Sequence, residues 1–423
     1  MKIKKNYNIY NELMLILILR LAFENEKLFF ALAAVYLISL YLLKNKIIIP
    51  KITGINLYII FVAYATVVGI IRFPMIRVVK DLFYIVPSII FIFLGYYLCS
   101  YKYEKKRLIR TLEIYGILVA CIAVVRFILI HSFEFNAIRN AFSMHVYDVG
   151  FILPILAFYT LICGECIFSK KVDRIAMTLM LFQIIFSFGR IAILEPLLIF
   201  CIICILSMVV LKKQGKTLKI VTVLSVLFLI GFVIMSHIIP QSTIAIFMDK
   251  IENSMKEINS SQNIDSIGAA LNNWRGYEIK ASQRQWMKSD ILIKLFGNGL
   301  GKGIELEYIP TNWTSDMLYG NEMPIAHNGF YSLLPKGGLI GVLSVILIFV
   351  GIFKESIILI KKKDLKKKEI GVILIAITFG AIANMWVVRG LIGNEVFAIW
   401  SLFVGWLIAF GRTMRRDSIN EKK

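Results

Sequence analysis

The side chains in this sequence that could do chemistry are arginines beside apolar runs, and one histidine. Arg72, Arg77 and Lys80 follow one apolar run, Arg190 follows Ser187-Phe188-Gly189 between two others, Arg275 and Arg284 lie in the longest polar stretch, and Arg389 closes a further run. A guanidinium holds phosphate through paired, charge-assisted hydrogen bonds, so several of them at one membrane face make a site for an anion. At a membrane surface the natural anion is a lipid-linked phosphate. The plainer reading is that each arginine snorkels or pairs with a nearby acid such as Asp81, Glu195, Glu278 or Glu395. Arg190, with almost no loop around it, fits that reading least. Of the four histidines, His327 has the most informative setting, Pro324-Ile325-Ala326-His327-Asn328-Gly329-Phe330, where the polar stretch runs into an apolar one. A neutral imidazole there can accept a proton; a capping or packing role is the alternative. Nothing local distinguishes His131, His145 and His237. Cys163-x-x-Cys166 and Cys201-x-x-Cys204 have zinc-like spacing, but no histidine lies nearby in sequence and the second pair sits inside an apolar run, where cysteine behaves as a small hydrophobe. No metal and no cofactor is expected.

The elements that must position these groups are membrane helices. Hydrophobic residues make up 58% of the 423 positions and charged residues 18%, too apolar a balance for a soluble domain of this size. A hydrocarbon core about 30 Å thick is crossed by about 20 helical residues. Runs near that length recur at 9–22, 28–43, 54–71, 82–99, 111–130, 149–168, 175–188, 191–211, 220–238, 328–353, 370–388 and 395–411. Lipid offers no water to stray backbone groups, and the alternating ten-residue strands of a barrel are absent, so the expected class is all-α, with about twelve spans. The first run carries Arg20, which makes the count approximate.

A net charge of +21 would suggest nucleic acid in a soluble chain, but its distribution reports orientation instead, and no nucleic-acid partner is expected. Lys and Arg crowd into alternate connections, namely 2–5, 44–51, 102–110, 170–174, 212–219, 354–368 and the tail 412–423. By the positive-inside rule these face the cytoplasm, with both termini inside. The expected organisation is therefore spans over 1–238, a large extracytoplasmic loop over 239–326, three further spans over 327–411 and a cytoplasmic tail at 412–423. Within the loop, Asn253 to Asn263 reads as a polar, mobile stretch and about 272–296 as one amphipathic helix. The glycines at 297, 299, 301 and 303 then read as a tight, flexible turn. They are no nucleotide fingerprint, because no strand precedes them. Trp274, Tyr277, Trp286, Tyr308 and Trp313 offer faces for stacking on sugar rings, although interfacial aromatics also serve as plain anchors.

Three segments together resemble the family of O-antigen polymerases and O-antigen ligases, membrane glycosyltransferases that use polyprenyl-linked sugars. The first is Phe186-Ser187-Phe188-Gly189-Arg190-Ile191-Ala192. The second is Trp274-Arg275-Gly276-Tyr277-Glu278 followed by Leu295-Phe296-Gly297-Asn298-Gly299-Leu300-Gly301. The third is Ala326-His327-Asn328-Gly329-Phe330 with Leu333-Leu334 and Gly337-Gly338-Leu339-Ile340-Gly341. Each motif is short, and the resemblance rests on their order before, within and after one large loop, over about 175–350. The family's loop arginine and tryptophan are spaced differently here, with Arg284 two residues before Trp286, and Arg275 is taken for the family role.

The resemblance implies a glycosyltransferase-C-like membrane fold in the cytoplasmic membrane with its site facing outside. It implies an undecaprenyl-pyrophosphate-linked oligosaccharide as donor and another as acceptor, and a flippase and a chain-length regulator as further partners. Arg190 and Arg275 would hold the donor's pyrophosphate and His327 would assist the acceptor hydroxyl, with Arg284, Arg72, Arg77, Trp274 and Asn328 contacting substrate. The implied product is an O-antigen, capsule or exopolysaccharide. A ligase that moves a finished glycan onto lipid A core or a protein hydroxyl shares the motifs. A transporter of lipid-linked sugars would also have about a dozen spans, but it would carry its charges along a cavity at mid-membrane and have short external loops.

Overall fold

The computed structural model describes residues 9–22, 26–44, 50, 52–101, 105–222, 266–309, 318–393 and 397–420, with a few positions between 241 and 252. The expected span at 220–238 lies almost wholly outside these residues, as do Asn253 to Asn263, Trp313, Glu395 and His237. The described chain is nearly all α-helical. In chain order the helices are α1 (Ile9–Ala22), α2 (Glu26–Lys44), α3 (Ile55–Arg72), α4 (Met75–Ile85), α5 (Pro87–Tyr101), α6 (Lys105–Ile130), α7 (Phe135–Phe142), α8 (Val146–Ala157), α9 (Lys170–Phe186) and α10 (Arg190–Val209). After the gap come α11 (Ile267–Asn272), α12 (Trp274–Lys288), α13 (Ile291–Phe296), α14 (Gly329–Ile360), α15 (Leu365–Val387) and α16 (Ala398–Asn420). The strands β1 (Ile304–Glu305) and β2 (Glu322–Met323) pair antiparallel between α13 and α14.

Among the described residues, six helical segments are long and apolar enough to cross a membrane: Ile55–Arg72, Lys106–Ile130, Val146–Cys163, Arg190–Val209, Gly329–Ile360 and Leu365–Val387. A seventh results if α4 and α5, bent by 43° at their junction, make one broken span. The chain is thus a multi-pass membrane protein. The bend departs from the single straight helix expected over 82–99. Pro87 has no N–H to continue the α4 ladder, and it is placed instead at the start of α5.

The two ends of the bundle differ. At one end Arg110 donates to the Ile167 carbonyl (3.0 Å), Lys213 meets Glu369 (3.4 Å) and Arg412 meets Glu355 (2.7 Å), so the basic connections gather together. At the other end lies the segment 266–328, hereafter the loop end. Arg20, unexpected in an apolar helix, is buried against Asp148 (2.9 Å) and the Phe29 ring (5.2 Å). His145 caps α8 beside it and receives the Arg20 Nε–H at 3.3 Å.

The loop is built into the bundle by a break in α14. Pro335 cannot donate to its ladder, and Gly338 adopts φ 55°, ψ −151°, so the helix is interrupted there. The carbonyls of Pro335 and Lys336 are thereby turned outward, and they accept the N–H groups of Asn298 (2.9 Å) and Gly299 (3.0 Å). Leu300 N–H donates to Ala65 O on α3 at 2.8 Å. The glycine run is therefore a packed inset between α3 and α14 rather than a flexible turn. Gly297 has φ 75°, and a Cβ there would lie 2.3 Å from the Lys336 carbonyl oxygen. Gly297→Ala is expected to destabilise the protein by more than the ~1–2 kcal/mol of a left-handed residue alone. A lowered midpoint in a thermal unfolding scan of the solubilised protein would show it; an unchanged midpoint would contradict this packing.

Below the inset, Lys336 and Asp81 form a buried ion pair at 2.6 Å, their side chains 1% and 0% exposed. Lys336 Nζ also donates to Lys302 O (2.7 Å), and Asp81 accepts from Gly301 N–H (2.6 Å) and the Tyr319 hydroxyl (3.2 Å). Burial first, then the Asp81 charge, push the Tyr319 hydroxyl up, so it stays a donor. This cluster ties α4, the inset, the hairpin and α14 to one point.

Candidate active site at the loop end

α14 begins at Asn328, whose Oδ1 accepts the N–H groups of Phe330 (3.0 Å) and Tyr331 (3.2 Å), satisfying two of the helix's orphan donors. That orientation leaves Asn328 Nδ2 buried and, among the described residues, without a hydrogen-bond partner. Immediately before the cap, His327 meets Glu278 on α12. The His327 backbone N–H donates to Oε2 at 2.7 Å, and ring Nδ1 lies 2.8 Å from Oε1. The Glu278 side chain is 1% exposed and that of His327 37%. One helical turn further along both elements, Ser282 Oγ donates to Tyr331 O (2.8 Å) and Gln283 Nε2 to the Tyr331 hydroxyl (2.7 Å), which sets the register of α12 on α14.

Arg190 opens α10, which packs antiparallel on α15. Glu195 accepts from Asn384 Nδ2 at 2.5 Å, and Ile199 lies against Gly380. This register puts Arg190 at the same end of the helix pair as Arg389, just past the end of α15. The Arg389 carbonyl in turn abuts Gly329, two residues after His327. Arg389 has φ 103°, a conformation costly for any residue with a Cβ. Such strain concentrates at functional positions. Phe330 and Tyr331 face the Trp386 ring at 6.2 and 6.4 Å, so the same rim carries an aromatic patch.

No family model and no curated protein matches this chain.

The other candidate residues divide by location. Arg275 and Trp274 lie in the first turn of α12, where Asn273 caps the helix through Gly276 N–H at 3.1 Å. Arg275 is three residues before Glu278 and so on a neighbouring face of the same helix. Trp274 packs on Tyr277, with ring centroids 5.3 Å apart. Burial pushes the Tyr277 hydroxyl up, and its oxygen accepts Tyr308 N–H at 2.7 Å.

Arg72, Arg77 and Arg284 fall outside this group. Arg72 reaches Asn298 Oδ1 at 3.4 Å, and Arg77 stacks on Tyr319 (5.0 Å) within 3.8 Å of Glu322. Arg284 is paired with Glu307 on the exposed side of α12. The acids that meet Arg77 and Arg284 therefore come from 305–322, not from the sequence neighbours considered above. Asp81, Glu195 and Glu278 bind Lys336, Asn384 and His327 instead. The amphipathic helix expected over 272–296 is two helices, because Ser289 is extended and Asp290 starts a new turn.

Two features escaped sequence reading: the carboxylate on His327 and the Asp81–Lys336 pair. Glu278 belongs to the Trp274-Arg275-Gly276-Tyr277-Glu278 segment, 49 positions before His327 and with other acids between them, so that motif order was the available signal. Nothing local signals that Lys336 and Asp81 meet, since 255 positions separate them.

Proposed function

We propose that this protein polymerises polyprenyl-pyrophosphate-linked oligosaccharide repeat units into a surface polysaccharide at the outer face of the cytoplasmic membrane. The observation that carries the reading is His327, seated on a buried carboxylate at the bundle end that also holds Arg190 and Arg389. The positive-inside rule assigns the basic opposite end to the cytoplasm, which puts this site outside, where lipid-linked glycans are polymerised and nucleotide sugars are absent.

The chemistry is an inverting single displacement. The acceptor sugar hydroxyl gives its proton to a His327 ring nitrogen, and its oxygen forms the new bond at the donor's anomeric carbon. The bond from that carbon to the phosphate oxygen breaks, and the pyrophosphate leaves with the electron pair. Positive charge develops on the sugar and negative charge on the departing phosphates, which Arg190, Arg275 and Arg389 meet with fixed donors. Asn328 Nδ2 supplies a further donor beside the base. Transfer of a finished glycan by a ligase would use the same donor chemistry.

The test is a purified assay with lipid-linked repeat units in the presence of a chelator. Elongation is expected to persist without divalent metal. Arg190→Ala is expected to lower kcat/KM by roughly 100-fold or more, as for loss of a transition-state donor. Dependence on a divalent metal, or an Arg190→Ala variant as active as the parent, would count against the reading.

A further inference from the structure

We propose that Glu278 is the positioning residue that sets which nitrogen of His327 is available to take a proton, an inference that rests on the polymerase reading for its catalytic meaning but not for its structural content. A carboxylate offers only acceptors. Nδ1 of His327 lies 2.8 Å from Oε1 and 3.0 Å from Oε2, so the proton of the neutral ring resides on Nδ1. The lone pair is then on Nε2, on the far edge of the ring from Glu278. That is the form a general base for an acceptor hydroxyl requires, and the histidine side chain is 37% exposed while its partner is 1% exposed. Once Nε2 takes the proton, both ring nitrogens are donors and Nδ1–H keeps its bond to Glu278.

The second bond makes the arrangement specific. Oε2 accepts the His327 backbone N–H at 2.7 Å, so one carboxyl group fixes both the main chain and the ring of the same residue. Both acceptor positions are needed. A glutamine amide of the same shape puts an NH2 group in place of one oxygen, and that group cannot accept the Nδ1–H that lies 2.8 Å from Oε1. If its oxygen stays on the backbone N–H, its NH2 meets Nδ1, which becomes an acceptor and moves the ring proton to Nε2. The base is then blocked in an otherwise unchanged fold. The link also ties the base to the helix that carries an anion-binding candidate, because Arg275 precedes Glu278 by three residues on α12. Ser282 and Gln283 hold that helix against Tyr331 independently of the pair, so its position does not hang on Glu278 alone.

The experiment compares full-length wild type, Glu278→Gln and Glu278→Asp in lipid nanodiscs, with 15N-labelled histidine observed by NMR and elongation kinetics measured on the same preparations. The chain has four histidines, and the His327 signals are assigned by their loss in His327→Gln. Wild type is expected to show the Nδ1–H tautomer and Glu278→Gln a shift toward Nε2–H. The kcat of Glu278→Gln is expected to fall roughly 100-fold or more, the usual contribution of a general base, with KM for the lipid-linked donor little changed. Glu278→Asp, which keeps two acceptors on a shorter arm, is expected to recover part of the loss. An unchanged tautomer with unchanged kcat would overturn the assignment. A changed tautomer in a protein whose elongation survives both Glu278→Gln and His327→Gln would leave the pairing intact and overturn the role of His327 as base, whereas the tautomer shift together with a wild type that elongates nothing would overturn the polymerase reading instead. A misfolded Glu278→Gln is recognised by the loss of all four histidine signals, and Glu278→Asp then carries the comparison.

Discussion

Native host cells carrying His327→Ala are expected to lose the surface polysaccharide ladder and to accumulate single lipid-linked repeat units, at a protein level matched to wild type by blot. His327 stands outside the regular part of α14, and the helix is started by Asn328, so removal of the imidazole leaves the cap and the fold intact. What disappears is the proton acceptor. A general base contributes roughly 100- to 10,000-fold in rate, more than enough to remove long chains from a processive product distribution. Three outcomes separate the readings. Single units on the carrier or on core support polymerisation. Long chains that stay on the carrier without transfer point to a ligase. An unchanged ladder places the chemistry elsewhere.

Lys336→Met is expected to be the most destabilising single substitution in the loop-to-bundle junction. The lysine is 1% exposed, and its partner Asp81 is fully buried among Gly301, Tyr319 and the inset. Breaking a buried pair by removing one partner costs about 3–5 kcal/mol, because the remaining charge is left without compensation. Removing the charge on both sides is a different operation. The double variant Lys336→Met with Asp81→Asn keeps an acceptor for Gly301 and takes the anion away, so it is expected to recover much of the loss. Unfolding midpoints of the two singles and the double, taken in one detergent, measure the coupling directly. A Lys336→Met variant less than about 1 kcal/mol below wild type would put this pair in the class of solvent-exposed bridges.

Local chemistry made much of this molecule legible. The start of α10 at Arg190 follows Gly189, and the start of α14 at Gly329 follows the capping Asn328; both are readable from neighbouring residues. The basic connections that gather at one end were equally plain, since orientation bias is a property of short segments. What escaped is pairing at long range. Periodicity points to one helix over about 272–296, but the chain splits at Ser289-Asp290, and α13 then delivers the glycine inset into the gap in α14. The inset depends in turn on Asp81, more than two hundred positions away. Likewise Glu278 reads as a counter-ion for an arginine until the fold brings α12 against the start of α14. The arginines show the same limit. Arg190 and Arg389 come to the same end of the bundle only through the antiparallel register of α10 on α15, whereas Arg77 and Arg284 find acids on the β1–β2 segment that no spacing rule connects to them.

The interruption of α14 at Gly338 also bears on depth. The large side chains of this helix that face outward, Leu339, Leu343, Ile346, Val350 and Ile357, all come after it. From Leu339 to Phe353, before the charged Lys354 and Glu355, the helix rises about 22 Å at 1.5 Å per residue, most of the roughly 30 Å of hydrocarbon. The oily belt of α14 therefore starts about a dozen residues later than the apolar run at 328–353 implies. On the proposed reading, the stretch from His327 to Gly338 would then stand at the height of the lipid headgroups. A carrier embedded by its polyprenyl tail would present its phosphates at that height without being lifted from the bilayer, and a lengthening hydrophilic chain would leave from there straight into water without crossing oil.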